Sequence, residues 1–163
     1  MEFESTVHYP ADLATVARML IDPAYMEYRI SQLGVEVLEQ TVTGDPAAPL
    51  FRVRAVIPPG LVPAAYRRFV PPRLVLTLVE TWHPQAGDRS PGGMMTVEFD
   101  GIPARASASF RLDGVAAGSE RHYAGEVSAR IPLVGRKLEA AAVGAIQKVV
   151  RAEEAAARAY LAG

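Results

Sequence analysis

Cysteine is absent from this sequence of 163 residues, and histidine occurs only three times. Without cysteine the chain has no disulfides, no thiol chemistry and no cysteine-ligated metal. His8, His83 and His122 lack helical metal-binding spacing, and a meeting of His83 and His122 in space would be weak support for a metal site. The sequence also lacks a P-loop, a G-x-S-x-G motif and a nucleotide-binding fingerprint. We therefore assign no metal ligand, no cofactor and no catalytic residue.

An excess of charge of one sign and long hydrophobic runs are missing as well. The chain has 17 Lys and Arg against 18 Asp and Glu, which is not typical of a nucleic-acid-binding protein. Its apolar runs are too short to cross a bilayer, and Glu2 and Glu4 stand where a secretory signal would carry basic residues. We expect a cytoplasmic protein with no nucleic-acid partner and no integral membrane association. Half of the residues are hydrophobic, enough for one domain over residues 1–163, whose oligomeric state the sequence leaves open.

The hydrophobic pattern predicts ten elements in the order β-α-α-β-β-β-β-β-β-α. Alternation indicates a strand over residues 2–9, and two short helices follow, the second beginning at Asp22-Pro23, burying Met26, Ile30 and Leu33, and ending at Gly34. Six further strands are predicted over residues 35–42, 50–57, 74–82, 94–99, 104–112 and 120–131. Gly- and Pro-rich turns separate them, and Gly92-Gly93 is interpreted as an ordinary turn. This succession favours an antiparallel sheet over a doubly wound parallel one.

The last helix, from about Gly135 onward, is the longest predicted element. At 1.5 Å per residue it would extend on the order of 40 Å. Its predicted apolar face comprises Leu138, Ala142, Val143, Ile146, Val149, Val150, Ala157, Tyr160 and Leu161. A seven-stranded sheet has one face to hide, and this helix is the element able to cover it. The predicted fold class is therefore α+β.

The order of elements resembles the helix-grip fold of the START-like, Bet v 1-like (SRPBCC) superfamily, in which a curved antiparallel sheet wraps a long C-terminal helix. The segment Arg130-Ile-Pro-Leu-Val-Gly-Arg-Lys-Leu-Glu139, together with Glu80-Thr-Trp82, is similar to an uncharacterised bacterial branch known as a domain of unknown function. The resemblance covers essentially the full chain. It implies a fold and, in many members, a ligand cavity between helix and sheet, but it brings no catalytic residues.

Small side chains lie on both walls of the space where such a cavity would be. Ala106 and Ala108 are on the inner face of the sixth strand, and Ala142 is on the inner face of the last helix. Such a layer either packs closely or leaves a void, and both alternatives remain open here. The predicted ligand-binding residues are Val53, Tyr66, Phe69, Leu76, Leu78, Trp82, Val97, Phe99, Ala106, Ala108, Phe110, Tyr123, Val127, Ala142, Ile146 and Glu153.

Residues 58–73, PPGLVPAAYRRFVPPR, form the least regular part of the middle of the chain. We predict one or two helical turns over residues 63–70, with Tyr66 and Phe69 or Val70 facing inward and Arg67 and Arg68 outward. The segment is either a lid over one mouth of the cavity or a rigid crossover that caps the core. The crossover is the interpretation we favour, since long ordered loops are only sometimes functional.

Two acidic residues, Glu139 and Glu153, fall on the apolar face of the last helix, roughly 21 Å apart. Each is either a polar anchor in the cavity or a structural group. In the structural interpretation, which we favour, Glu139 lies in the favourable first turn of the helix. Glu153 would then pair with an inward arginine such as Arg121, or lie beyond the sheet edge in water.

Three classes of function follow. The first is non-catalytic binding of an apolar or amphipathic small molecule, such as a lipid- or polyketide-like compound. The second is an enzyme of cyclase or aldolase type, which would need Glu80, Glu139, Glu153, Arg121 and Tyr123 to converge in one pocket. The third is a protein-interaction domain with a filled core.

Overall fold

The computed structural model describes residues 1–163. Its elements are β1 (Glu2–Tyr9), α1 (Leu13–Leu20), α2 (Pro23–Ser31), β2 (Glu36–Asp45), β3 (Ala48–Val56), two short 3₁₀ helices (Pro59–Leu61 and Ala64–Phe69), β4 (Val75–His83), β5 (Gly92–Phe99), β6 (Ala104–Val115), β7 (Gly118–Ala129) and α3 (Gly135–Leu161). This is the predicted order, and the boundaries differ mainly because several strands begin earlier or end later than their apolar residues suggest.

All seven strands form one antiparallel sheet in the order β1-β7-β6-β5-β4-β3-β2. β1 therefore pairs with the last strand in sequence and forms one edge of the sheet. β2 forms the other edge, and its register against β3 shifts between Val37 and Glu39. The sheet with its long C-terminal helix confirms the predicted α+β helix-grip fold.

The starts of the two short helices follow from local capping. Asp12 accepts a hydrogen bond from the backbone N–H of Thr15 at 2.7 Å and begins α1, and Asp22 accepts one from Ala24 at 2.9 Å and begins α2. Met26 and Ile30 are buried as predicted. Leu33 is 37% exposed, contrary to the prediction, because α2 ends at Ser31 and its apolar stripe does not continue.

α3 packs mainly on β1 and β7, at one side of the sheet, and its C-terminal half also contacts α2. The rings of Tyr25 and Tyr160 meet edge to face with centroids 5.0 Å apart. Val150 and Ala157 are buried as predicted, but Val149 is 51% exposed. The prediction for Val149 was wrong because a helix lying along two strands buries a narrower stripe than its apolar pattern marks.

The inner face of the sheet has a closed half and an open half. In the closed half, α1 covers the C-terminal end of β6 and the N-terminal end of β7, and α2 packs on α1 and α3. The main core lies there. The largest fully buried apolar side chains of this core are Tyr25, Phe51, Leu20, Met26, Leu112, Val7 and Val16. At the opposite end of the sheet, the inward side chains of β4, β5 and β6 are only half-buried.

Two glycines permit the close approach of strands in the curved sheet. A Cβ atom on Gly93 would collide with the backbone oxygen of Thr81, and one on Gly125 would collide with the backbone oxygen of Ser107. Gly93 is therefore the second residue of β5, not part of a turn as its glycine pair suggested. The close contact across the ladder, rather than turn geometry, requires glycine there.

Candidate functional site

The open half of the inner face presents a continuous apolar surface. Along one row, the register joins Val53 to Leu78, Leu78 to Val97, Val97 to Ala106 and Ala106 to Val127, so five adjacent strands contribute. Leu76 and Phe99 pair in the next row toward the end of the sheet. We call the half-buried members the apolar inner surface: Leu76, Leu78, Val97, Phe99 and Ala106.

The side chains of the apolar inner surface point inward, yet they are only half-buried. Val53 and Val127, at the two ends of the row, are 4% and 6% exposed, whereas the three residues between them are half-buried. On the facing helix, Ala142 and Ile146 are also half-buried. Because inward apolar residues of a close-packed core are normally fully buried, helix α3 leaves the middle of this surface incompletely covered.

The connector between β3 and β4 stands beside this surface. Its second 3₁₀ helix confirms the predicted helical turns, with Tyr66 and Phe69 half-buried and Arg67 and Arg68 exposed. Arg67 donates from Nε to the oxygen of Val62 at 3.0 Å, and the guanidinium of Arg68 lies 4.7 Å from the Phe69 ring centroid. These local contacts hold the turns in place. The choice between a lid and a rigid crossover is untested, and the crossover stays a prediction.

Charged side chains meet at the boundary between the closed and open halves, around Glu80. Its side chain is 2% exposed, and its carboxylate accepts bonds from Trp82 Nε1 at 2.7 Å and from Arg29 Nη2 at 3.1 and 3.2 Å. Nη2 of Arg121 lies 3.1 Å from Glu80 Oε2. Two guanidinium groups and one indole N–H therefore converge on a single buried carboxylate.

Arg121 is wholly buried and lies among aromatic rings. Its Cζ atom is 3.9 Å from the ring centroid of Phe110 and 4.7 Å from those of Trp82 and Tyr123. None of its guanidinium nitrogens makes an aligned hydrogen bond, so the approach to Glu80 is a charge contact. Cation–π attraction and the Glu80 charge replace the solvation that Arg121 loses.

Glu153 extends the network to the last helix. Tyr9 and Tyr25 donate to its Oε1 at 3.2 and 3.1 Å, and Arg29 Nη1 lies 3.5 Å from the same atom. The expected partner, Arg121, is engaged with Glu80 instead. Arg29, which the sequence analysis did not single out, thus links the two acids. Its signal was its position, three residues after Met26 and four after Tyr25, on the buried side of α2.

The pKa values of Glu80, Tyr25 and Tyr123 are displaced by burial and by the neighbouring charges. Burial would raise the pKa of Glu80, but Arg121 and Arg29, with the Trp82 bond, lower it to about 2. Burial, reinforced by Glu153, raises the pKa of Tyr25, and burial also raises the pKa of Tyr123. Each of these pKa shifts leads away from neutrality, whereas a general acid or base works best with a pKa near the operating pH. The arrangement is that of a structural ion network.

The remaining predicted residues divide between these regions. Trp82, Ala108 and Phe110 are buried in the closed half, and Tyr123 is half-buried beside them. Glu139 lies apart from the network, accepting a bond from the backbone N–H of Ala129 at 2.9 Å. The enzyme interpretation required Glu139 to lie in one pocket with the other four polar residues. The structure does not bring Glu139 to them, so this set is incomplete.

The outer face of the sheet carries a separate polar group. His122 approaches Glu120 at 3.3 Å and Thr6 at 3.1 Å, and His8 approaches the other oxygen of Glu120 at 3.1 Å. His83 does not meet His122, because β5 and β6 lie between their strands. A nearby depression of about 270 Å³ is lined mostly by outward polar side chains, and the sheet separates it from the apolar inner surface.

Solved structures share this architecture over nearly the whole chain. TTHA0849 from Thermus thermophilus aligns with a TM-score of 0.64 at 18% identity, over 98% of this chain and 99% of that one. A START superfamily protein from Mycobacterium smegmatis gives a TM-score of 0.59 at 12% identity, over 98% of both chains. Ara h 8.0201, which is Bet v 1-like, gives 0.59 at 10% identity, also over 98% of both. These matches establish the fold, a helix-grip fold that the chain shares with a START superfamily protein and with a Bet v 1-like protein.

A match to a family model is more specific than this shared fold. Residues 4–161 match the family model described as protein of unknown function (DUF2505), and the chain belongs to this family. This confirms the resemblance drawn from the start of the last helix and from Glu80-Thr-Trp82. The comparison with curated proteins found no match. None of the helices is both long and apolar enough to span a membrane.

Proposed function

We propose that this protein binds an apolar or amphipathic small molecule, lipid- or polyketide-like, against the apolar inner surface without transforming it. The observation that carries the proposal is the half-burial of inward side chains on adjacent central strands. Covering such a surface with a ligand contributes roughly 25 cal/mol per Å² of apolar area removed from water. Apolar, concave surfaces with a few polar groups at one end are typical ligand sites.

The charged network bounds the ligand at its inner end. Glu153 and Arg29 keep 13% and 11% of their side-chain surface exposed, whereas Glu80 and Arg121 are closed off. A ligand with one neutral polar group and an apolar body matches this arrangement. A charged ligand would add a net charge to a network in which two acids balance two arginines. The directions of the pKa shifts favour binding over the cyclase or aldolase alternative.

Two alanines on β6 provide a matched test with the uncharged fluorescent probe N-phenyl-1-naphthylamine. Ala106 is half-buried on the apolar inner surface, and Ala108 is 2% exposed within the closed half. We expect Ala106→Leu to leave the melting temperature nearly unchanged and to weaken probe binding about tenfold. Ala108→Leu is expected to cost about 1–3 kcal/mol through overpacking.

A filled core would give a different result. In that case the wild-type protein would not bind the probe, and Ala106→Leu would lower the melting temperature as much as Ala108→Leu does. That outcome would support the third function, a protein-interaction domain. If the probe binds, native mass spectrometry of the protein purified from its own cells is the measurement that identifies the ligand.

A further inference from the structure

Three connectors leave the sheet at the open end and contact one another. They are residues 57–74 between β3 and β4, residues 100–103 between β5 and β6, and residues 130–134 between β7 and α3. The Asp100 N–H donates to Val75 at 2.9 Å, Gly101 lies against Pro71, and the Arg130 N–H donates to Pro103 at 2.9 Å. These contacts make one continuous surface at the mouth of the apolar inner surface.

This surface is strongly basic. The three connectors and the start of α3, residues 57–74, 100–103 and 130–137, carry six of the chain's 17 Lys and Arg and one of its 18 Asp and Glu, so the rest of the chain has 11 basic against 17 acidic residues. The basic residues are Arg67, Arg68, Arg73, Arg130, Arg136 and Lys137. Asp100 and the neighbouring Glu36 are already paired, with Arg54 at 2.6 Å and with Arg73 at 2.7 Å respectively. A nearly neutral chain therefore concentrates its positive charge at one end.

The same surface carries exposed apolar side chains. Leu61 is 44% exposed, and Leu133 is 100% exposed. Leu133 is also the only non-glycine residue with positive φ, at 70°, a conformation that costs energy for a leucine. The Gly135 N–H donates to the Ile131 oxygen at 2.9 Å and closes the turn that contains Leu133, but nothing in the molecule covers the Leu133 side chain. A leucine held exposed in this conformation indicates a function outside the chain.

We infer that this end docks on the surface of an anionic lipid bilayer, with Leu133 entering the boundary between headgroups and acyl chains. Basic residues around an exposed apolar side chain are the combination that peripheral membrane binding requires. An acidic protein or a nucleic acid would use the cations but would leave Leu133 unexplained. Transfer of a ligand from the bilayer to the adjacent apolar inner surface rests on the proposed function; the docking itself does not.

Vesicle flotation tests the inference on the full chain. The protein is expected to float with vesicles of phosphatidylcholine and phosphatidylserine, not with phosphatidylcholine alone, and less at high salt. The double variant Arg136→Glu, Lys137→Glu should weaken binding by at least about tenfold. The matched control is Lys148→Glu, Arg151→Glu, the same charge change on the exposed face of α3, which should have little effect.

The apolar contribution has its own pair of variants. Leu133→Asn removes the apolar side chain but suits the positive φ, so the fold is retained and vesicle binding should fall several-fold. Val115→Asn changes a 41% exposed residue at the opposite end of the sheet and should leave binding unchanged. Thermal unfolding followed by circular dichroism verifies that each variant is folded.

Three results would overturn the docking. The first is an absence of flotation with anionic vesicles, and the second is flotation that neither the charge variant nor Leu133→Asn reduces. The third is binding to heparin equal to vesicle binding and unaffected by Leu133→Asn, which would reassign the surface to polyanions. Ala106→Leu should not change flotation, so failure of the ligand proposal and failure of the docking are distinguishable.

Discussion

Nη2 of Arg29 lies 3.1 Å from Oε2 of Glu80, and this contact joins helix α2 to the central strand β4 across 51 residues of sequence. Arg29 also reaches Glu153 on α3 at 3.5 Å. One arginine thereby links the short helices, the sheet and the last helix. The network fixes the position of α2, which closes one half of the inner face and leaves the other half open.

Removal of the Glu80 charge should strongly destabilise the protein. In Glu80→Gln, Arg29 and Arg121 would remain buried without their shared counter-ion, at a cost of about 3–5 kcal/mol. A typical domain has a total stability of about 5–15 kcal/mol. Urea unfolding can be followed through the fluorescence of Trp82, the only tryptophan, which donates to Glu80.

The control for this variant is Glu39→Gln. Glu39 pairs with Arg52 at 2.9 Å, but its side chain is 47% exposed, so the loss should not exceed about 1 kcal/mol. Equal losses in Glu39→Gln and Glu80→Gln would contradict the role assigned to the buried network.

The contribution of Glu80 should depend on pH. Its pKa is lowered from 4.5 to about 2 in the folded protein, so the stabilisation is complete above about pH 4.5 and is lost as the pH falls toward 2. The free energy of unfolding is expected to fall by at most about 1.4 kcal/mol per pH unit from this group. In Glu80→Gln this component should vanish, so the difference between wild type and variant should shrink on acidification. A difference that stays constant down to about pH 2 would argue against the lowered pKa.

Two glycine-to-alanine changes should have opposite signs. At Gly125 a Cβ atom would collide with the backbone of Ser107 and lie 2.7 Å from Ala108 Cβ, so we expect a loss above about 2 kcal/mol. At Gly144, on the exposed face of α3, nothing lies within 4 Å, and alanine should stabilise by roughly 0.5–1 kcal/mol. The free energies of urea unfolding check both. A tolerated Gly125→Ala would mean that β6 and β7 are less tightly apposed than described.

The succession of strands along the chain and the long helix were predictable because alternation and 3.6-residue spacing are local properties of the sequence. The partners of charged residues were not, because Arg29 and Glu80 meet only after the sheet and α2 are assembled. Spacing alone marked Val149 as buried, but how much of a helix face is covered depends on where the helix lies. Likewise the pair Gly92-Gly93 is typical of a turn in sequence, whereas Gly93 is needed because the backbone of the neighbouring strand leaves no room for a Cβ atom.

The apolar inner surface illustrates the same limit. Its residues were predicted to face inward, and Leu78 and Val97 pair as neighbours on that face. The pattern of apolar residues is the same for a filled core and for an open one, because both need inward hydrophobic side chains. Only the distance between α3 and the central strands decides between them, and that distance depends on the whole fold.

The register shift in β2 bears on how the molecule behaves at high concentration. β2 ends the sheet with an unpaired row of backbone donors and acceptors, onto which a second molecule could add a strand. Val37, Leu38 and Val42 are between 39% and 43% exposed, which would favour such growth. The register shift between Val37 and Glu39 interrupts the row. An incoming copy would lose backbone hydrogen bonds at this point, so edge-to-edge polymerisation is disfavoured.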